Sequence, residues 1–307
     1  MPPLSSQANN VRRRGALEAR ISQLGTQMKA DNVARTRQGF LKLLQQQPQD
    51  YFLHQENAVF LELTGDLAGA ATEWQRYCDL LPQDSLGYYQ AGRLLNAQQK
   101  YAEAEAALRI AVTIRPSRTD GWLELGNALA LQNKYPEALA CYSTALKQNS
   151  QSAPSLLGRG RVLARLNRHA EAMENYRAAI QLNPADGLPH HELGLELVAA
   201  RESDAAGTEF CEAARLSPDI VVARFDYGTW LMSHNHWDEA QREFVAAVRL
   251  NPAFPTSHLN LGLALFKLGS LDEAERQFEE TLRLEPGNSK ASDYLLQVRA
   301  LKRDQKR

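Results

Sequence analysis

The stretch TDGWLELGNALALQNKYPEALACYSTALKQNSQS, residues 119–152, decides the fold of this chain. Apolar residues recur at intervals of three and four through 120–131 and again through 136–147, which is the spacing of amphipathic α-helices. A polar turn at 132–134 separates the two segments. The second segment opens with Pro136 and Glu137, and both residue types are favoured in the first turn of a helix. The stretch therefore predicts an antiparallel pair of helices.

The same pattern recurs every 34 residues along most of the chain. Prolines keep this spacing, except for one interval of 68 whose midpoint is Ser150. Glycines and alanines keep it in registers of their own, and three residue types in one period indicate a true internal repeat. The proline that closes each unit is predicted to end its second helix, because proline has no N–H. The markers are Pro48, Pro82, Pro116, Pro184, Pro218, Pro252 and Pro286; Gly92, Gly126, Gly160, Gly194, Gly228 and Gly262; and Ala70, Ala104, Ala138, Ala172, Ala206, Ala240 and Ala274.

Each repeated residue type has a packing reason. We expect Gly126 and Ala138 to be small because the two helices of a pair approach closely there. Tyr142 and its equivalents are expected to fill the space between neighbouring units. No unit buries its apolar face alone, so stacking of the units must supply the core.

In this register the chain resembles the tetratricopeptide repeat (TPR) family. The resemblance implies an all-α, right-handed α-solenoid of stacked antiparallel helix pairs. Seven repeats are predicted over residues 51–288. The residues that carry the resemblance in one unit are Trp122, Leu125, Gly126, Leu129, Ala138, Tyr142 and Ala145, and the seven units are 51–84, 85–118, 119–152, 153–186, 187–220, 221–254 and 255–288.

The flanks of the repeats depart from the signature. Residues 17–50 keep the spacing but have Leu24 in place of glycine and Thr36 in place of alanine, so they are predicted to be a degenerate capping repeat. Residues 1–16 are predicted to be a flexible basic arm, which contains the run Arg12–Arg14. Residues 289–307 are predicted to form a C-terminal capping helix and a charged tail.

Composition is that of a soluble folded protein, with 44% apolar and 23% charged residues and a net charge of −1. A net charge this small supplies no general attraction to nucleic acid or to a membrane surface. The three cysteines show no paired spacing, which fits a reducing compartment. No stretch is apolar enough for a membrane span, and the N-terminus lacks a signal-peptide pattern. We therefore expect a cytoplasmic protein, and attachment to a membrane protein or complex stays open.

The resemblance implies that the first helices line a concave groove, through positions 2, 5, 6, 9, 12 and 13 of each repeat. Large apolar side chains at such positions suggest a contact surface. The alternative is that they pack against one another or against the C-terminal helix. The first half of the groove is predicted to be polar, and its arginines either clamp an acidic segment or remain solvated charges. The predicted partner-binding residues are Phe225, Met232, Leu259 and Phe266 as the centre, then Val198, Leu263, Arg93, Arg161, Arg165, Tyr89 and Asn127.

Two specialised groove types of the family are not matched. Position 5 carries no lysine, so the clamp that holds chaperone C-termini is not expected. Position 6 carries no ladder of asparagines, so the pattern of the O-linked sugar transferases is not expected either.

The sequence gives little support for metal binding, nucleotide binding or catalysis. Five histidines lie between residues 190 and 258, but no spacing there completes a metal-ligand set. No phosphate loop follows a strand, and no nucleophile–base arrangement is recognisable. We predict a non-catalytic scaffold, with no metal, cofactor or small-molecule substrate, that binds a peptide or helix of a partner protein. The alternative is an accessory domain that presents substrates to a larger enzyme or membrane assembly, such as a glycosyltransferase. Nucleic acid is not expected as a partner.

Overall fold

The computed structural model of the protein describes residues 30–305. Within this range the chain forms sixteen α-helices and no strand, so the prediction of an all-α repeat solenoid is confirmed. The predicted basic arm and the first part of the predicted capping repeat lie outside the described residues. The helices are α1 (Ala30–Gln46), α2 (Tyr51–Leu63), α3 (Leu67–Leu80), α4 (Ser85–Ala97), α5 (Tyr101–Ile114), α6 (Thr119–Leu131), α7 (Tyr135–Gln148), α8 (Ala153–Arg165), α9 (His169–Leu182), α10 (Gly187–Ala199), α11 (Ser203–Leu216), α12 (Val221–Ser233), α13 (Trp237–Leu250), α14 (Pro255–Lys267), α15 (Leu271–Leu284) and α16 (Ser289–Asp304).

The chain divides into two compact units at residue 150. Unit 1 contains α1–α7, and unit 2 contains α8–α16. In each unit, consecutive helices pair across a short turn, and each pair packs on the next. We call the helices that open each pair (α2, α4, α6, α8, α10, α12 and α14) first helices, and their partners second helices.

Every first helix ends in the same backbone motif. The residue at position 15 of each repeat adopts a positive φ, between 59° and 83°. Asparagine or glycine occupies five of the seven positions, and these residues tolerate left-handed backbone well. In the third repeat the N–H of Lys134 then donates to the carbonyl of Leu129 at 2.9 Å, which closes a Schellman-type cap. The seven residues are Gly65, Gln99, Asn133, Asn167, Arg201, Asn235 and Gly269.

The second helices all end two residues before the position of the closing proline. This includes α7, which ends at Gln148 although Ser150 stands in place of the proline. Asn149 there adopts an extended conformation, and its N–H bonds to the carbonyl of Ala145. The prediction that proline ends the second helix was therefore incomplete, since the helix ends at the same point without it.

The core of each pair is built on contact between a glycine and a large side chain. A Cβ on Gly126 would lie 2.7 Å from Cε1 of Tyr142, on the second helix of the same pair. The ring thus packs on the glycine of its own pair, and Ala138 beside it is completely buried. The side chains equivalent to Tyr142 are all fully buried: Trp74, Leu108, Tyr176, Phe210, Phe244 and Phe278.

The last helix, α16, packs on α14 and α15. Tyr294 stacks on Phe278 with ring centroids 5.6 Å apart. Lys302 forms ion pairs with Asp272 and Glu275, both at 2.5 Å, so the helix is fixed to α15 by charge as well as by apolar contact.

Candidate partner-binding surface

The predicted partner-binding residues all occupy positions 2, 5, 6, 9, 12 or 13 of the first helices, and we call this set of positions the first-helix face. In unit 2, neighbouring first helices are in contact from α8 through α10 and α12 to α14, and α14 contacts α16. In unit 1, α4 contacts α6. Of the eleven predicted partner-binding residues, three lie in unit 1 and eight in unit 2.

The unit 1 residues are engaged in contacts within the chain. Arg93 forms an ion pair with Glu62 of the preceding first helix, and its Nε donates to Oε1 of Gln90 at 3.0 Å. Asn127 Oδ1 accepts a hydrogen bond of 2.8 Å from the hydroxyl of Tyr142. Arg93 and Asn127 would therefore give up existing bonds in order to bind a partner.

Tyr89 lies partly buried beneath a cation. The guanidinium of Arg118 is 4.8 Å from the centroid of the Tyr89 ring. Burial, followed by the nearby carboxylates Asp120 and Glu124, raises the pKa of Tyr89 to about 12. The phenol is a neutral hydrogen-bonding group at physiological pH.

Two exposed leucines lie among the polar residues of this face in unit 1. Leu63 and Leu131 both occupy position 13, and their exposed fractions are 52% and 58%.

Two pairs of polar side chains in unit 2 join neighbouring first helices. Arg161 donates to Glu192 on the next first helix, with an ion-pair distance of 2.7 Å. His191 Nε2 lies 2.7 Å from Asp226 of the helix after that. Arg165 is exposed and forms no hydrogen bond or ion pair with any residue in the range 30–305. It is the one predicted binding arginine whose guanidinium is free in that range.

The apolar residues of unit 2 fall into exposed and partly buried groups. Val198 is 49% exposed, and two further residues, Leu195 and Val222, are 41% and 50% exposed. These last two were not among the predicted binding residues, although they occupy positions 9 and 2 of their repeats.

The other predicted apolar residues pack against the core, as the alternative interpretation supposed. Four of them, Phe225, Met232, Leu263 and Phe266, are partly buried against the hydrophobic cluster of the last repeats. Phe225 lies 5.8 Å from Phe244 and Phe266 lies 5.9 Å from Tyr294, measured between ring centroids. Leu259 is only 7% exposed, so it offers a partner almost no surface and we leave it out of the proposed contact surface.

One buried hydroxyl on the inside of this face lacks a partner. Tyr176 is the equivalent of Tyr142, and its ring packs on Gly160 in the same way. Position 9 above it, however, holds Arg161 where the preceding repeat has Asn127. The guanidinium of Arg161 cannot accept a hydrogen bond and pairs with Glu192 instead. The Tyr176 hydroxyl is buried and has no hydrogen-bond partner among residues 30–305. Burial raises the pKa of this phenol well above its ordinary value.

Histidines at position 4 connect the loop before the first helix to the second helix, a structural role that was not predicted from the sequence. His258 Nε2 lies 3.0 Å from the carbonyl of Pro252, and its Nδ1 lies 2.8 Å from Gln277 on the second helix. His54 makes the equivalent contacts with Pro48 and Glu73. The signal in the sequence is a polar ring at position 4 with an acid or amide 19 residues later. In the part of the chain that the structure describes, no three His, Cys, Asp or Glu side chains are arranged to hold a metal ion.

The sequence model of the tetratricopeptide repeat family matches residues 89–154, 123–187 and 225–289, which together make up just over half of the chain. The chain belongs to the tetratricopeptide repeat family. Among curated protein sequences, none matches this repeat protein significantly.

Solved structures similar to this repeat protein share its fold. PilF of Pseudomonas aeruginosa aligns with a TM-score of 0.63 at 21% identity, over 69% of this chain and 97% of PilF. Yeast Tom70 aligns with a TM-score of 0.61 at 16% identity, over 90% of this chain and 60% of Tom70. YrrB, described as a TPR protein with an unusual peptide-binding site, aligns with a TM-score of 0.51 at 23% identity, over 62% of this chain and 98% of YrrB. At these identities the likeness shows the fold alone.

No helix among residues 30–305 is both long and apolar enough to cross a membrane.

Proposed function

We propose that this protein is a non-catalytic scaffold that binds a peptide or helix of a partner protein on the first-helix face of unit 2. The observation that carries the proposal is the group of exposed apolar side chains Leu195, Val198 and Val222. They lie on the first helices α10 and α12, which are in contact. Exposed apolar side chains on a surface are typical of contact sites.

The partly buried residues beside this group extend it. Phe225 and Met232 lie on α12, and Leu263 and Phe266 lie on α14, each with part of its side chain exposed. Because their inner parts are held by the core, they offer a partner a surface that is already ordered. Pre-ordered side chains lose little conformational entropy on binding. The peptide-binding site of YrrB, a protein of the same fold, agrees with the proposal.

The test uses substitutions that leave the core intact. Glutamate at Phe225 or Phe266 would disturb rings packed on Phe244 and Tyr294, and a loss of binding would then be ambiguous. Val198→Glu with Val222→Glu avoids this, because half of each side chain is already exposed. The matched control is Leu182→Glu with Leu250→Glu, two leucines 40% and 41% exposed at the ends of second helices.

The measurement is an affinity capture from source-cell lysate, quantified by mass spectrometry, after circular dichroism has confirmed that both variants are folded. We expect at least one protein to be captured by the wild type and the control but lost with the Val198/Val222 variant. If the same proteins are captured by all three, the first-helix face of unit 2 is not the binding surface.

A further inference from the structure

The side chain at position 4 occupies the same hydrogen-bonding site in four repeats. It lies against the carbonyl oxygen of the proline that closes the preceding unit, six residues earlier. A carbonyl oxygen only accepts, so each of these side chains must donate there. The bond fixes the loop before a first helix to that helix. The four contacts are His54 Nε2 to Pro48 at 3.1 Å, Trp122 Nε1 to Pro116 at 2.8 Å, Arg224 Nε to Pro218 at 2.8 Å and His258 Nε2 to Pro252 at 3.0 Å.

The second helix supplies a neighbour 19 residues after position 4, and this neighbour differs between repeats. Trp122 is followed at that spacing by Cys141, and the single N–H of its indole serves the proline carbonyl alone. Arg224 also donates to Glu243, at 2.8 Å. A guanidinium has five N–H donors and keeps its charge in proteins, so Arg224 makes both bonds at any physiological pH.

His258 meets an amide on the second helix. Its Nδ1 lies 2.8 Å from the side chain of Gln277, which carries both a donor and an acceptor. A neutral imidazole with its proton on Nε2 donates to Pro252 and can accept from the amide NH₂ at Nδ1. One ring proton therefore satisfies both contacts of His258.

His54 differs because both of its neighbours are acceptors. While Nε2 faces the Pro48 carbonyl, Nδ1 lies 2.6 Å from Oε2 of Glu73. An ionised carboxylate has no proton to donate, so both bonds form only when the ring carries two protons. Either neutral tautomer turns a ring lone pair toward an oxygen. The two side chains are only 10% and 18% exposed, so water is a poor substitute for the lost bond.

Glu73 is the charged side chain recorded within ion-pair distance of His54 in the described part of the chain. Glu56, two residues after His54, projects from another side of α2, because residues at that spacing do not face each other. Five more charged side chains on α1–α3 and the loops between them have other partners: Arg37, Asp50, Glu62, Arg76 and Asp79.

We propose that the contact between His54 and Glu73 makes the helix pair α2–α3 sensitive to pH near neutrality. With two protons, the ring joins the loop before α2 to α3. With one proton, it keeps only one of these two bonds. Histidine ordinarily changes its charge between pH 5 and 8, and glutamate is ordinarily ionised above about pH 5. The stabilisation is therefore complete at the acid end of that range and is lost as the pH rises.

The experiment measures amide hydrogen exchange by mass spectrometry at pH 5.5 and pH 8.5. Each rate is divided by the intrinsic rate at the same pH, which gives a protection factor for every peptide. The proteins compared are the wild type, Glu73→Gln and Gln277→Glu, two substitutions that preserve the shape of the side chain. Peptides from α12–α13, where Arg224 meets Glu243, are the reference within each protein.

In the wild type, we expect the protection of α2–α3 to be about tenfold lower at pH 8.5 than at pH 5.5, which corresponds to the loss of one charge-assisted hydrogen bond. Protection of α14–α15 and of the reference should change less than twofold. Glu73→Gln should remove the pH dependence of α2–α3, because an amide can donate to a neutral ring. Gln277→Glu should introduce a dependence of about tenfold in α14–α15, because His258 then faces two acceptors.

Three results would overturn the proposal. The first is a wild type in which α2–α3 and α14–α15 respond to pH alike. The second is a pH dependence of α2–α3 that survives Glu73→Gln, or a Gln277→Glu variant in which α14–α15 acquires none. The third is global unfolding of either variant, since the exchange of acid and amide should change only the proton requirement of one histidine.

Discussion

Two equivalent tyrosines allow a sharp test of how this core is stabilised. Tyr142 and Tyr176 occupy the same position in consecutive repeats, both are fully buried, and each packs on the glycine of its own pair. They differ in their hydroxyls, since Tyr142 donates to Asn127 at 2.8 Å while Tyr176 has no partner. Replacing each with phenylalanine removes the same atom from two different environments.

The expected effects have opposite signs. A typical hydrogen bond contributes about 1 kcal/mol to stability, and a buried polar group without a partner costs about 1–3 kcal/mol. Tyr142→Phe should therefore lower the free energy of unfolding by about 1 kcal/mol. Tyr176→Phe should raise it by about 1 kcal/mol or more, and Phe210, Phe244 and Phe278 show that the site accepts a phenyl ring. The two variants should differ by about 2 kcal/mol.

The assay must be local, because unfolding of a repeat array is not always two-state. Hydrogen exchange followed by mass spectrometry would report the free energy of opening for peptides from α7 and α9, alongside urea denaturation followed by circular dichroism. Exchange should become faster in α7 of Tyr142→Phe and slower in α9 of Tyr176→Phe. The double variant should show both changes independently, because the sites lie in separate helix pairs. If Tyr176→Phe destabilises α9 as much as Tyr142→Phe destabilises α7, the account of the orphaned hydroxyl is wrong.

Two further predictions concern packing and thiols. Gly207→Ala places a Cβ 2.2 Å from Cζ2 of Trp230 and should lower the free energy of unfolding by about 1–3 kcal/mol. Gly39→Ala, where a Cβ would meet no atom within 4 Å, should be neutral or stabilise α1 by up to about 1 kcal/mol. Urea denaturation of the two variants tests this, and equal shifts of their midpoints would contradict the packing argument. Burial raises the pKa of Cys78 to about 12 and of Cys141 to about 11, while Cys211 is exposed. A thiol reagent at pH 8 should therefore modify Cys211 alone in the native protein and all three thiols in denaturant, and rapid native labelling of a second thiol would refute the burial.

The regularity of the repeat explains how much of the fold was predictable. In the third repeat, the predicted helices 120–131 and 136–147 differ from α6 and α7 by one residue at three of their four ends. Helix ends follow from backbone geometry that every unit shares, such as the positive φ at Asn133. Where the local signal is missing, as at Ser150, the shared geometry still ends the helix at the same place.

The apolar part of the candidate surface was predictable only to the level of the helix face. Periodicity places Leu259 and Val198 on the same face of their helices, yet one is 7% exposed and the other 49%. The difference comes from neighbours along the stack, since Leu259 belongs to the core cluster of the last repeats and Val198 is not part of that cluster. A pattern within one helix contains no information about those neighbours.

The charged part shows the same limit more clearly, because a repeat offers each ion several equivalent partners. Arg161 reaches a glutamate 31 residues later, and the same spacing would take Arg165 to Glu196. Glu196 instead contacts His169, 27 residues before it, and Arg165 forms no ion pair with any residue between 30 and 305. Both spacings join neighbouring helix pairs, so sequence distance cannot rank them, and only the side-chain geometry does. The repeat that makes the backbone of this protein predictable therefore makes the pairing of its charged side chains ambiguous.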